Sequence, residues 1–159
     1  ELSPNVEKFL SKKHHKTLIQ KELAVKKNMV LITDRGTIGN TILVPRYYEE
    51  LNWTVSQNVL RVHIDDKLAG YLYIFLQSPY GKTLVKRETY GAVIDMIDPE
   101  NAKSIPIPIL KDEAIVKKIN DLALKANDLR SEAYYLEQAA IKQINEDVIF
   151  VSKDNTPSV

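Results

Sequence analysis

Eight side chains fall at or beside turn signals: Arg35, Thr37, Gln57, Arg61, Lys82, Lys86, Arg87 and Tyr90. Their types suit one kind of chemistry, the recognition of a polyanion that also presents readable edges. An arginine fork matches the two acceptors of a guanine edge. An amide such as Gln57 or Asn58 matches adenine, while lysine ammonium and tyrosine hydroxyl groups take phosphates. The same types also furnish an ordinary solvated surface, and on type alone the two readings stand level.

Other constellations carry less. Asp65-Asp66 and the pair Asp95 and Asp98 could hold Mg²⁺ for a nuclease, but their spacing follows no metal-nuclease pattern, and they read as turn residues. The three histidines are His14, His15 and His63. Two adjacent ones cannot share a near face, so they read as surface residues and no metal site is expected. Without cysteine there is neither a disulfide nor a thiolate site. The run Val30 to Thr41 leads a strand into Gly36 and Gly39, but no lysine follows the second glycine and a strand, not a helix, comes next. That argues against a phosphate loop. Gly36-Thr37-Ile38-Gly39 also spells the backbone clamp of KH modules, yet that clamp joins helices and these flanks read as strands. The glycines serve a tight turn with φ > 0. No nucleophile stands beside a base by motif, so no catalytic residue and no cofactor is expected.

These side chains need a frame. Met29–Thr33 and Thr41–Val44 read as a strand and its return, with Pro45 ending the second. Val59–Ile64 alternates and reads as a third strand. Ala69–Gln77 reads as a helix with Tyr71, Leu72, Phe75 and Leu76 inward. Ser78-Pro79-Tyr80-Gly81 breaks it, and Thr83–Glu88 adds a short helical piece. Tyr47–Trp53 is a loop or helical turn. Ala92–Ile97 and Ser104–Ile109 are extended; the second fits only an edge, because Pro106 and Pro108 lack donors. Ser3-Pro4 opens a leading helix with Val6, Phe9 and Leu10 on one face, fading into Ser11–Lys16. Leu18–Val25 is ambiguous.

The longest element follows. From Asp112 to about Asn145 the apolar positions Ile115, Ile119, Leu122, Ala126, Leu129, Ala133, Leu136 and Ala140 alternate gaps of four and three. That heptad seam argues a coiled coil with a partner. Asp112 suits the cap, and the helix reaches roughly 50 Å. Leu124, Tyr134 and Tyr135 lie off the seam and call for a second packing surface. A bundle core helix is disfavoured, since no other segment is long enough to be its mate. The fold class is α+β: a mixed α/β body of short strands followed by one long coiled-coil helix. The expected division is a body over 1–110, a spacer and dimerisation helix over 111–148, and a loose tail over 149–159.

Composition sets the bounds. The chain has 159 residues, 44% of them hydrophobic, with a net charge of +1. No apolar run approaches a membrane span, and the absence of cysteine fits a cytoplasmic protein. Residues 1–110 hold 15 basic against 12 acidic side chains, and 111–159 hold 7 against 9, so the cationic bias belongs to the body. It is densest between residues 8 and 27, where Lys8, Lys12, Lys13, Lys16, Lys21, Lys26 and Lys27 oppose only Glu22. Such a face suits an acidic polymer.

The order of the pieces resembles a known family. Asn28-Met29-Val30-Leu31-Ile32-Thr33 runs into Arg35-Gly36-Thr37-Ile38-Gly39. Ser56-Gln57-Asn58-Val59 follows, then Tyr71-Leu72-Tyr73-Ile74-Phe75-Leu76-Gln77-Ser78 with Gly81 behind it. Ile105-Pro106-Ile107-Pro108 then passes into the heptad helix. This ordered set, from about Leu18 to Asn145, is similar to a target recognition domain of the specificity subunits of type I restriction-modification systems. The resemblance implies a non-catalytic reader of double-stranded DNA. It also implies helices that pair as an antiparallel coiled coil, and methylase and motor-nuclease subunits that dock on the scaffold. Two departures stand out. Lys27-Asn28 occupies a turn where the family commonly has Gly-Asp. The chain also holds one recognition unit and lacks part of the usual leading segment. A fragment, a half-subunit that dimerises, and the reading end of a methylase or restriction-enzyme fusion are all compatible with that. Outside the family, a coiled-coil interaction module that binds no DNA is the competing reading.

Overall fold

The structure, a computed structural model, describes residues 10–91 and 96–149. The expected leading helix from Ser3-Pro4, most of the Ala92–Ile97 segment and the tail from Ser152 lie outside these residues. Three strands form an antiparallel sheet in the order β2-β1-β3: β1 is Val30–Thr33, β2 Thr41–Leu43 and β3 Val59–Val62. Val30 pairs with Leu43 on one side and with Val62 on the other. The central strand is covered on both faces, which is why it reads as an unbroken apolar run. Its alternating side chains serve two cores. Val30 and Ile32 join Leu43, Leu72, Leu76, Val85, Ile97 and Ile105. Leu31 points the other way, to Val44, Tyr47 and Tyr48.

Seven-residue α1 (Lys12–Leu18) lies where the polar run was expected to end a helix. Lysine is a good helix former, though the helix is kinked at His15, whose φ of −120° and ψ of 20° are not helical. A wider turn over Ile19–Leu23 closes it, Ala24 N–H donating to the Ile19 carbonyl at 2.8 Å. Helix α2 (Arg46–Glu50) follows β2. Helix α3 (Asp66–Gln77) is capped by Asp65, whose Oδ1 accepts from Lys67 N–H at 2.8 Å. Ser78 is a single-residue break, because its hydroxyl caps α4 (Pro79–Arg87) and Pro79 takes the first helical position, where its missing N–H costs nothing. Asp98 likewise caps α5 (Pro99–Ser104), a helix the sequence reading had passed over. Of the expected extended segment, Ser104 closes α5, and residues 105–109 form no helix and pair with no strand among the described residues, so the edge-strand reading does not hold. Ile105 anchors the segment in the core and Tyr71 Oη donates to the Pro108 carbonyl at 2.7 Å.

The last element, α6 (Glu113–Ile144), has 32 residues and is capped by Asp112, which accepts from Ala114 and Ile115 N–H at 2.9 and 3.3 Å. It lies along the body through Val116, Asn120, Ala123, Asn127 and Ser131, all buried. The second packing surface is there as expected: Leu124 joins the first core, Tyr134 and Tyr135 the second. Tyr134 stacks on Tyr47 at 4.1 Å between ring centroids. No helix among the described residues is long and apolar enough to cross a membrane.

The aromatic core has a consequence for alkaline stability. Burial, and then neighbouring Tyr47, push the Tyr48 hydroxyl up to about 12. A phenol whose folded pKa exceeds its unfolded value adds stability that is complete below pH 10 and lost as pH rises towards 12. Denaturant titrations from pH 9 to 12 should show stability falling across that window, and Tyr48→Phe should flatten the fall.

Candidate nucleic-acid interface

One end of the sheet gathers most of the residues singled out from the sequence. The β1–β2 loop is fastened to Thr33. Thr33 N–H donates to the Asn40 carbonyl at 3.0 Å, and its hydroxyl donates to the Thr37 carbonyl at 2.5 Å. Gly36 and Gly39 adopt φ of +72° and +82°, the turn role the sequence assigned them. A Cβ at Gly39 would stand 3.3 Å from Val85, so the loop rests on α4. Arg35 and Thr37 are exposed on it. Met96 pairs with both Arg35 and Tyr90, bringing Tyr90 alongside. Lys82, Lys86 and Arg87 are exposed on α4, which ends three residues before Tyr90.

The loop before β3 reaches the same end, since Asp34 N–H donates to the Asn58 carbonyl at 3.4 Å. Gln57 is exposed there and its amide donates to Glu22 at 3.4 Å. Arg61 differs from its neighbours. Its guanidinium donates to the Val59, Val55 and Ser56 carbonyls, each at 3.0 Å. Burial lowers its pKa, and Glu22 opposes that shift. Arg61 shapes the loop from behind, and its fork is occupied.

Charge at this end is lightly compensated. Arg87 bonds its neighbour Glu88 at 3.1 Å, and Arg35 stands 3.9 Å from Asp34. Lys82 and Lys86 have no carboxylate partner among the described residues. Asp65 and Asp98 are helix caps, as the turn reading implied. No group of acidic or histidine side chains among the described residues is arranged to hold a metal ion.

The long helix crosses the opposite end of the sheet, held by polar groups that sequence reasoning missed. Asn120 Oδ1 accepts from Gly70 and Tyr71 N–H at 2.9 and 3.2 Å, and its Nδ2 donates to the Asp66 carbonyl at 2.9 Å. Asn127 Nδ2 donates to the Val44 carbonyl at 2.8 Å, and Ser131 Oγ accepts from Arg46 N–H at 3.0 Å. These bonds fix α6 in register against α3, β2 and α2. The only sequence signal was the spacing of Asn120, Asn127 and Ser131 along one face.

The seam points elsewhere, roughly 130° around the helix from that inner face. Leu122, Leu129 and Leu136 are 60%, 52% and 73% exposed, so the body does not cover them. Ile115, Ala126, Ala133 and Ala140 are exposed as well, and Ile119 is half-buried.

The comparisons bear on the whole assembly of elements. No curated protein and no solved structure matches the chain. A family model described as type I restriction modification DNA specificity domain matches residues 13–133, from α1 through the sheet and most of α6. The resemblance in motif order is thereby upheld, and Asn28 takes the departing turn at φ +65°, a conformation asparagine tolerates. The chain belongs to the family of type I restriction modification DNA specificity domains.

Proposed function

We propose that the chain is the specificity subunit of a type I restriction-modification system, or a half or fragment of one. It reads double-stranded DNA and does no chemistry itself. The loop end of the sheet faces the duplex: Arg35, Thr37, Gln57 and Tyr90 lie towards base edges and backbone, and Lys82, Lys86 and Arg87 lie on phosphates. Arg61 stands behind and shapes the loop that carries Gln57. The observation that carries this reading is the gathering of these groups at one end of the sheet in a DNA specificity domain. The methylase and motor-nuclease subunits of the system are its partners in the cytoplasm.

The seam supports a second recognition half, from a second copy or another segment. Its small and large residues separate by position: Ile119, Ala126, Ala133 and Ala140 alternate with Ile115, Leu122, Leu129 and Leu136. Parallel pairing would stack leucine on leucine and alanine on alanine, giving layers of unequal width. Antiparallel pairing sets large against small in every layer except where Ile119 meets Leu136. With full overlap of two copies, Leu122 meets Ala133, Leu129 meets Ala126, and Lys125 comes beside Glu132. Val116 and Ala123 flank the seam on the side that carries the body. In an antiparallel pair those flanks face each other, which puts both heads on one side of the rod, where one duplex can meet both. A slip of one heptad would move the heads by roughly 10 Å, about three base pairs of duplex.

An interaction module that binds no DNA would also expose the seam, and charge reversal separates the two readings. Lys82→Glu, Lys86→Glu and Arg87→Glu together should cut duplex affinity roughly 100-fold at low salt. They should also flatten the plot of log K against log salt by about 2 to 3 units. Fluorescence anisotropy with a mixed-sequence duplex reads both. Unchanged binding would point to the module.

A further inference from the structure

We propose that Arg130, on the long helix, binds a backbone phosphate of the same DNA, in a cleft beside the free edge of β2. The cleft has a volume of about 520 Å³ and lies between β2, α3 and α6. Thr33 and Asn40, at the foot of the recognition loop, line one end of it, and Pro45, Tyr47 and Arg130 line the other. The guanidinium carbon of Arg130 stands 6.0 Å from the centre of the Tyr73 ring, so the aromatic face orients the cation without neutralising it. No acidic residue lines the cleft. Arg130 has no carboxylate within 4 Å among the described residues. The wall is held in place by Gln77, whose amide donates to the Thr41 carbonyl at 2.7 Å.

An unpaired arginine among hydroxyl and amide groups is a site for an anion with several acceptor oxygens. A phosphodiester fits, and the position says which one. Asn40 to Pro45 spans roughly 16 Å of strand, so the contact falls about five nucleotide steps from the bases under the loop. DNA would then touch the helix directly, as well as through the head. Arg130 shares the flank of Val116 and Ala123, the side of the rod on which both heads lie when two helices pair.

The inference rests on the DNA reading above, and the test keeps the two apart. Binding of a mixed-sequence duplex is measured against salt for the wild type, Arg130→Gln, Arg130→Lys and the triple reversal on α4. Arg130→Gln should weaken binding about tenfold, alike for unrelated sequences, and flatten the salt slope by about 0.9. Arg130→Lys should keep the slope and lose only part of the affinity. If Arg130→Gln leaves affinity and slope unchanged while the triple reversal weakens binding, this inference fails and the DNA reading stands. If the wild type binds no duplex at low salt, both fail. In a parallel titration, the Arg130 side-chain NMR signal should move with duplex at micromolar concentration and with inorganic phosphate only at far higher concentration. A response to phosphate but not to duplex marks a free-anion site and overturns the inference.

Discussion

Leu122→Asp with Leu129→Asp is expected to yield a monomer that keeps the fold and melts where the dissociated wild type does. Both leucines are more than half exposed in the single chain, so the body has nothing to lose. In the paired rod each would be covered. Burying one leucine contributes roughly 1.5–3 kcal/mol, and a symmetric pair loses four of them while gaining four carboxylates in an apolar layer. That is enough to raise the dimer dissociation constant by more than about four powers of ten. Sedimentation at rising concentration reads the mass directly. A wild type that is already monomeric at high concentration would place the mate of α6 outside this chain and remove self-pairing from the account.

The second large effect is at Gly70, inside α3. Helix propensity alone says that alanine there should stabilise by about 1 kcal/mol. The packing says the reverse. A Cβ on Gly70 would stand 2.5 Å from the Asn120 carbonyl oxygen and 2.9 Å from the Ala123 side chain. The two helices would have to part, and the Asn120 amide would lose its grip on the backbone of α3. Overpacking and weakened buried hydrogen bonds together cost about 3 kcal/mol net, a large share of the total for a domain of this size. Gly70→Ala should therefore lower the melting temperature by roughly 10 °C. Circular dichroism decides between the two arguments, since a variant that melts higher than wild type would mean that α3 and α6 do not approach so closely.

Gly70 also shows where the sequence stops being legible. The β1–β2 hairpin, α3 and α6 could be read because each is written in a local pattern: an apolar run with glycines, a dense aromatic face, a heptad. Helix α5 carries a start signal in Asp98-Pro99, but its six residues are too few for a helical period, and Pro106 and Pro108 just beyond favour extended backbone. Pro79 was read as a breaker where it serves as the first helical residue. Asn120, Asn127 and Ser131 were invisible as interior residues. Their polarity argues for solvent, and the backbone groups they satisfy on α3, β2 and α2 come from distant parts of the chain. The seam was legible as a seam, but not as the face the body leaves bare.

The interface divides the same way. Arg35 and Arg61 are the same residue type at similar turn signals. Only the structure separates the one that faces outward from the one whose fork holds the 55–59 backbone. The Arg130 cleft draws on residues from Thr33 to Arg130, and no local pattern joins them.

The claim on which everything else depends is that duplex DNA lies against the loop end of the sheet. Backbone amide NMR spectra recorded as a duplex is added test it residue by residue. The account predicts shifts concentrated at 34–39, 56–58 and 82–91, diminishing with salt, with the β3 edge and residues 103–109 quiet. Shifts confined to the seam of α6 or to residues 103–109, or none anywhere at low salt, would contradict it.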